Sequence, residues 1–297
     1  MKCVHLHSSQ IDKSSWNELV LNAPQGRPYH FAWYLDAMTT DWNALIFDDY
    51  KVILPLPIRF QFLGIKNSQT PSGIQQLGPL SNSPLSPVEL SEVLQSIPRQ
   101  YWKIGIRLNE GQFIESSGKF RIEKKVNQLT CLKDKAEDLL ASFHKSNRKR
   151  LNKTQELYTL ELNTQSPLEL IAFYKKQLKD KFNLNRRMQF RYERLIRVSQ
   201  EKNVGFINTL RDSSGQIVAS GFFIRSHNRV YNLFGASRHE ATGSMNQLIY
   251  QTMLQQRPQV DYFDFEGSNI PGVQKFFSQF NASMHNYYEL HYNLFKN

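Results

Sequence analysis

The order of strand and helix signals in the last third of the chain constrains the fold more than any other feature. Residues 204–211 and 216–224 are two apolar runs joined by the turn Asp212-Ser213-Ser214-Gly215, which predicts a β-hairpin. The signals that follow predict, in order, a strand at 229–236, a helix at 244–256, a strand at 260–265, a helix at 271–280 and a strand at 287–294. Antiparallel strands followed by alternating helices and strands predict a mixed α/β sheet.

The length of the chain predicts two domains. The 297 residues are about twice the roughly 150 residues of a usual domain. We predict the domains at residues 1–132 and 133–297. The fold class is α/β (α+β), and we expect each half to hold a mixed, mostly antiparallel sheet flanked by helices.

The first half contains a strand signal followed by a long segment typical of loops. Residues 52–58 predict a strand, and Pro55 and Pro57 place it at a sheet edge or beside a bulge. Residues 64–87 are rich in Gly, Pro, Ser and Asn, which predicts a long loop region. A loop of this length is either functional or part of the scaffold.

Positive charge is concentrated in one part of the chain. The net charge is +11, and thirteen basic and five acidic residues lie between His144 and Arg194, a net +8 within 51 residues. This concentration favours a polyanionic partner, such as a nucleotide, a phosphorylated cofactor, RNA or an anionic membrane surface. A solvated helix face is the alternative.

Several function classes have no support in the sequence. The two cysteines, Cys3 and Cys131, cannot build a disulfide framework or a zinc motif, so we expect no metal. The motifs of P-loop enzymes, dinucleotide-binding domains, α/β-hydrolases and zinc proteases are all absent. No apolar run has the length of a signal peptide or a membrane span, so we expect a cytoplasmic protein without an integral membrane segment.

Three short segments, taken with this order of elements, resemble one family. The first is Ser-Asn-Arg-Lys-Arg-Leu-Asn-Lys at 146–153, and the second is Phe-Gly-Ala-Ser at 234–237. The third and most specific is Phe-Asp-Phe-Glu-Gly-Ser at 263–268, followed by Gly-Val-Gln-Lys-Phe-Phe-Ser-Gln-Phe-Asn-Ala at 272–282. Together they resemble the bacterial FemAB/FemX-like branch of the GNAT (N-acyltransferase) superfamily, most strongly over residues 130–297. The resemblance implies two tandem GNAT-like domains in one chain.

The resemblance also implies where an acyl donor binds. In this fold the donor enters between two parallel strands that separate at their carboxyl ends, and its phosphates meet the N-terminus of the next helix. The predicted cofactor-binding residues are therefore Arg238, Gly243, Ser244 and Asn246. The usual acetyl-CoA signature, Gln/Arg-x-x-Gly-x-Gly/Ala, is absent. The donor is thus left open between an acyl-CoA and an aminoacyl-tRNA, which the peptidoglycan-bridge members of the family use.

Glu266 and Lys275 are predicted to act in catalysis. Asp264 and Glu266 alternate along one strand and should share a face, and Glu266 lies nearer the strand end, where it could accept a proton from an attacking amine. The resemblance implies that Lys275 stabilises negative charge on the carbonyl oxygen. Phe276, Phe277 and Phe280 have the spacing of core residues on a helix, in a region where single-domain acetyltransferases often carry a tyrosine acid.

The predicted substrate-binding residues are Arg148, Lys149 and Ser268, which could contact an anionic acceptor or a tRNA backbone. The sequence therefore predicts an N-acyltransferase or aminoacyltransferase that acts on an amine, with an anionic donor and tRNA as candidate partners. Two alternatives stay open: a catalytically degenerate GNAT-like module that binds an anionic ligand or a protein, and a nucleic-acid-binding protein. The oligomeric state is also open.

Overall fold

The structure is a computed structural model that describes residues 1–114, 118–133, 135–163, 165–178, 184–267 and 269–294. The chain forms two compact units. Unit 1 comprises Met1–Val126 together with Asn286–Asn297, and unit 2 comprises Asn127–His285. The domain division at 132/133 stays a prediction; among these compact units the C-terminal segment is grouped with unit 1, where its strand pairs with Tyr101–Arg107.

Unit 1 is a mixed sheet with short helices. Its elements are β1 (Cys3–His7), α1 (Lys13–Asn22), α2 (Ala32–Met38), β2 (Trp42–Phe47), β3 (Val52–Phe62), β4 (Ile65–Gln69), β5 (Leu80–Ser81), α3 (Pro87–Gln95), β6 (Tyr101–Arg107) and the first part of β7 (Arg121–Cys131). The strand order is β1-β2-β3-β4-β6, followed by the C-terminal strand Ser283–Asn293, and β5 pairs with β3. Only β4 and β6 pair in parallel in this set. A core of side chains from β2, β3, α3 and β6 holds the sheet against α3.

The predicted loop at 64–87 is partly wrong, because β4 and β5 both lie within it. β3 also continues beyond residue 58 to Phe62 and forms a hairpin with β4. At Pro55 and Pro57, β3 is in register with β2. On its other side, β3 pairs with β5 at Val52–Ile53 and with β4 from Ile58 onwards. The missing proline N–H groups therefore cost no pairing with a second strand.

Unit 2 carries the strands from β7 to β12 and most of the described helices. Its elements after β7 are α4 (Ala136–Ser142), α5 (Lys145–Thr154), β8 (Thr159–Leu162), α6 (Pro167–Leu178), α7 (Arg186–Glu201), β9 (Gly205–Arg211), β10 (Ile217–Ser226), β11 (Arg229–Ser237), α8 (Ser244–Gln256), β12 (Tyr262–Asp264) and α9 (Pro271–Ser278); β13 (Ser283–Asn293) then returns to unit 1. The strand order is β7-β12-β11-β10-β9-β8. The hairpin predicted from residues 204–224 is confirmed as β9–β10.

The core of unit 2 lies between its sheet and the helices α4, α5, α8 and α9. Phe265 stacks on Phe277 with 4.6 Å between ring centroids, and Phe280 packs against both Phe143 and Phe265. These contacts fix α9 beside the end of β12. No helix within the described residues has both the length and the apolar character needed to cross a bilayer.

Candidate active site

The two parallel strands of unit 2 pair over a short stretch only. β11 and β12 are in register at Arg229–Tyr231 and Tyr262–Asp264, after which β12 ends and β11 continues to Ser237. The carboxyl end of β12 therefore borders a stretch of β11 that has lost its neighbour on that side. This is the strand geometry that the sequence resemblance implies for a donor site.

The chain turns sharply where β12 ends. Asp264 is fully buried and accepts hydrogen bonds from Arg229 Nη1 at 3.0 Å and from Asn127 Nδ2 at 3.2 Å. Its other oxygen accepts the backbone N–H of Glu266 at 2.8 Å. Glu266 and Gly267 have φ values of 58° and 56°, a conformation that is uncommon for a glutamate and that clusters at functional sites. Asp264 thus stabilises the turn that contains Glu266. Because β12 ends at Asp264, strand alternation does not determine the direction of the Glu266 side chain.

A buried tyrosine lies in the electrostatic field of Glu266. Burial raises the pKa of Tyr192, and the charges of Tyr174 and Glu266 raise it further. The Tyr192 and Tyr174 rings both pack on Phe234 of β11, with centroid distances of 4.7 Å and 5.2 Å. A phenol whose pKa is raised stays protonated at neutral pH and can donate a proton.

Sequence reasoning missed Tyr192. It shares the buried face of α7 with Leu195 and Ile196, so its spacing is that of an ordinary core residue. The separation of 74 residues from Glu266 gave no local signal either. The packing of α7 against β11 places Tyr192 on Phe234.

The other predicted catalytic and acceptor residues have less defined surroundings. Lys275 is exposed on α9 and, within the described part of the chain, forms no ion pair. Its neighbours Phe277 and Phe280 are core residues, as their spacing indicated. Ser268 lies outside the described residues.

The N-terminus of α8 is held by its own side chains. Gly243 precedes the helix with a φ of 87°. The Ser244 hydroxyl donates to the Val218 carbonyl at 3.4 Å, and Asn246 Nδ2 donates to Asn147 Oδ1 at 2.8 Å. Ser244 and Asn246 are both buried, so their side chains fasten the helix and do not line an open surface. Their predicted role in donor binding stays a prediction.

The basic helix α5 packs directly on the start of α8. A Cβ atom placed on Gly243 would lie 2.9 Å from Arg150 Cγ and 3.1 Å from Thr154 Cγ2. Gln247 Nε2 donates to the Leu151 carbonyl at 2.7 Å. The structure thereby brings together two segments that sequence reasoning had treated separately, the basic run at 146–153 and the loop before α8.

A cavity of about 450 Å³ opens where these two segments meet. Three cations of α5 line it, Lys149, Arg150 and Lys153, and the loop before α8 contributes Glu240 and Thr242. The three cations form no ion pair with any described residue. Unpaired cations in a concave surface provide a site for an anionic group.

Two predicted binding residues do not line this cavity. Arg148 Nη1 donates to the Ala141 carbonyl at 3.1 Å, and Arg238 Nη2 donates to Gln216 Oε1 at 3.2 Å. Arg150 and Lys153, which were not among the predicted binding residues, line it instead. The basic run predicted such a surface, but which cations face the cavity depends on how α5 sits on α8.

Comparison with solved structures identifies the architecture. The structure of FemX matches with a TM-score of 0.70 at 12% sequence identity, covering 97% of this chain and 97% of that one. The chain has the FemAB-like GNAT fold. The predicted fold class of two tandem GNAT-like domains is thereby confirmed, since a tandem GNAT protein from the clavulanic acid biosynthesis pathway also matches over 98% of each chain, at a TM-score of 0.52 and 8% identity.

A third structure extends the FemAB-like comparison. The C-terminal domain of a putative lysylphosphatidylglycerol synthetase from Agrobacterium fabrum has a TM-score of 0.60 at 13% identity, covering 96% of this chain and 93% of that one. No protein-family model and no curated protein sequence matches the chain. At these identities the similarity is one of fold.

Proposed function

We propose that this protein is an N-acyltransferase or aminoacyltransferase whose donor binds through its phosphates in the cavity between α5 and the start of α8. The observation that carries the proposal is the set of three unpaired cations, Lys149, Arg150 and Lys153, around that cavity. Both donor classes, acyl-CoA and aminoacyl-tRNA, carry phosphate groups on the same molecule as the reactive acyl carbon. Lys149, Arg150 and Lys153 bind the phosphates, and the acyl group lies at the end of β12.

The proposed chemistry is direct transfer to an amine. The amine nitrogen forms a bond to the acyl carbon, and the bond from that carbon to the sulfur of CoA or to the ribose oxygen of tRNA breaks. Glu266 accepts the proton that the amine loses, and Tyr192 donates a proton to the leaving group. A raised pKa suits Tyr192 to this role because the phenol stays protonated at neutral pH. Lys275 stabilises charge on the carbonyl oxygen.

Aminoacyl-tRNA is the donor that we favour. In a compact pyrophosphate site the phosphates bind free backbone N–H groups at the helix N-terminus. Here Thr242 N–H donates to the Glu240 carbonyl at 3.0 Å and Ser244 N–H to the Ala241 carbonyl at 3.1 Å. These two amides are engaged within the loop, and the cations of α5 add side-chain phosphate contacts that suit an extended polyanion. The names of two fold neighbours, FemX and lysylphosphatidylglycerol synthetase, are in keeping with aminoacyl transfer.

The second candidate function is a GNAT-like module that binds an anionic ligand without turnover. The observation that favours it is the coverage of Gly243 by Arg150 and Thr154, which narrows the entry to the helix N-terminus. The module and the enzyme share ligand binding and differ in product formation.

A transfer assay separates the two. The purified protein is incubated with radiolabelled aminoacyl-tRNA or acetyl-CoA and a mixture of amine acceptors, and labelled products are resolved by chromatography. We expect product with aminoacyl-tRNA and a loss of about 100-fold or more for Glu266→Gln, as is usual when a general base is removed. Glu156→Gln, an exposed acid beyond α5, is the matched control and should transfer like the wild type. Donor binding without any product would contradict the enzyme and support the module.

A further inference from the structure

The hairpin β3–β4 ends in a tip that is exposed on all sides. Every residue from 59 to 65 is exposed, in contrast to the buried first half of β3. The turn itself is Leu63-Gly64, with φ values of 45° and 79°. Phe60, Phe62, Leu63 and Ile65 expose 54%, 62%, 83% and 45% of their surface. Four large apolar side chains in seven residues are far more than scattered surface hydrophobics, so the tip requires an explanation.

The tip has one apolar face and one polar, basic face. Phe62 is paired with Ile65 across the hairpin, and Phe60 lies two residues before Phe62, so these three side chains share a face. Arg59 and Gln61 alternate with them on β3, and Lys66 is the cross-strand partner of Gln61. Leu63 occupies the end of the hairpin. The arrangement is the strand equivalent of an amphipathic helix with cations on its polar side.

The stretch of sequence that contains the tip carries charges of a single sign. No acidic residue occurs between Asp49 and Glu89, while Lys51, Arg59 and Lys66 lie in that stretch. Lys66 Nζ lies 5.9 Å from the centre of the Tyr101 ring, and Arg59 donates to Gln69 Oε1. Neither cation forms an ion pair with a described residue.

This combination identifies the occupant by its chemistry. A second copy of the chain, docked tip to tip, would bring the cations Arg59 and Lys66 of both copies together. A nucleic acid would satisfy the cations but leave Phe62, Leu63 and Ile65 in water. An anionic phospholipid surface satisfies both, since its headgroups attract lysine and arginine while aromatic and aliphatic side chains enter the boundary with the acyl chains.

We propose that the β3–β4 hairpin tip inserts into the interfacial region of an anionic phospholipid bilayer and anchors the protein there reversibly. Phe60, Phe62, Leu63 and Ile65 enter the headgroup boundary to a depth of about 5–10 Å, and Arg59 and Lys66 contact lipid phosphates. The anchor lies in unit 1 and does not depend on the donor or on catalysis in unit 2.

Vesicle co-sedimentation tests the proposal. The full chain is mixed at low salt with vesicles of phosphatidylcholine alone or with about 30% phosphatidylglycerol. We expect binding to the anionic vesicles and at least a tenfold loss for Phe60→Ser/Phe62→Ser/Leu63→Ser, which leaves the charge unchanged. The matched control is Val88→Ser/Leu168→Ser/Phe190→Ser, whose side chains are 66%, 55% and 65% exposed elsewhere on the chain. It should bind like the wild type.

A single reporter variant covers the case in which the triple variant fails to fold. Phe62→Trp should show a blue-shifted emission on adding anionic vesicles, and lipids brominated in the acyl chains should quench it. The proposal is overturned if the wild type does not bind anionic vesicles, or if the tip variant binds as well as the control. It is also overturned if light scattering shows a dimer that the tip variant converts to a monomer without vesicle binding, because the tip would then be an interface between copies.

Discussion

At the scale of single residues, Gly78 occupies a position with no room for a side chain. A Cβ atom there would lie 2.4 Å from Gln112 Oε1, 2.8 Å from the backbone nitrogen of Asn109 and 3.0 Å from Leu108 Cα. The backbone N–H of Gly78 also donates a hydrogen bond to Asn109 Oδ1 at 3.1 Å. Two of the three clashing atoms belong to backbone, which cannot move aside as a flexible side chain can.

We expect Gly78→Ala to lower the free energy of unfolding by about 2 kcal/mol or more, the usual cost of forcing an extra methyl group into a packed site. Urea titration followed by circular dichroism measures it. Gly272→Ala is the control, because nothing lies within 4 Å of its added Cβ. A wild-type midpoint for Gly78→Ala would show that the loop before β5 relaxes freely.

Glu266 and Asp264 mark how far residue-level prediction reached. The sequence directed attention to the end of β12, since a carboxylate before Gly267 follows a predicted buried strand. Alternation could not anticipate that β12 would stop at Asp264, because Arg229 and Asn127 bind that carboxylate from distant parts of the chain. The turn that places Glu266 is therefore a tertiary effect, and the catalytic roles of Glu266 and Lys275 stay predictions.

At the scale of elements, α5 is attached to unit 2 by one buried side chain in particular. Asn147 is fully buried, donates to the Gln279 carbonyl at 3.2 Å and accepts from Asn246 at 2.8 Å. It therefore connects α5 to both α8 and the end of α9. The position of the three cations around the cavity depends on this attachment.

Asn147→Ala should lower the free energy of unfolding by about 1–3 kcal/mol, because it leaves the buried amide of Asn246 without its acceptor. Asn152→Ala, at an exposed position on the same helix, should change it by no more than about 0.5 kcal/mol. Hydrogen exchange of the α5 amides would locate the effect. Equal destabilisation by both variants would contradict the attachment of α5 through Asn147.

Elements with strong periodic signals were predicted well, and short polar ones were not. The helix predicted at 244–256 has those bounds in the structure, and the strands of the 204–236 region are correct within two residues. β4 was missed because Ile-Lys-Asn-Ser-Gln has little strand character of its own and forms through pairing with β3 and β6. The amphipathic tip of the β3–β4 hairpin was not predicted, for the same reason.

At the scale of the whole molecule, the order of elements and three short segments together predicted the FemAB-like fold, although no family model matches the chain. The order survives at 12% identity because strand and helix periodicity depends on residue class and not on residue identity. The donor and the acceptor do not follow from that order, since they depend on which side chains meet at the cavity.

The free energy of unfolding should fall at alkaline pH because the buried phenol of Tyr101 loses its proton less readily in the folded state than in the unfolded state. Burial raises the pKa of Tyr101 to about 12, and the hydroxyl also contacts Asn43 Nδ2 at 2.8 Å. Because the folded-state pKa lies above the ordinary value of 10, this stabilisation is complete below pH 10 and is lost as the pH rises towards 12. Between pH 9 and 11 the free energy of unfolding, measured by urea titration, should fall by about 1 kcal/mol more in the wild type than in Tyr101→Phe. Parallel losses in the two proteins would exclude Tyr101 as the source.

The most direct test of the account is the affinity of the α5 cavity for an anionic donor. Aminoacyl-tRNA and acetyl-CoA are titrated into the wild type, Lys149→Glu/Lys153→Glu, and Lys145→Glu, whose exposed cation lies on the same helix and does not line the cavity. We expect tRNA binding to weaken by about tenfold or more in the double variant, with a smaller dependence on salt because fewer counterions are released, while Lys145→Glu stays within about threefold of the wild type. Equal losses in the two variants would indicate general electrostatic attraction, and unchanged affinity in the double variant would contradict a donor site between α5 and α8.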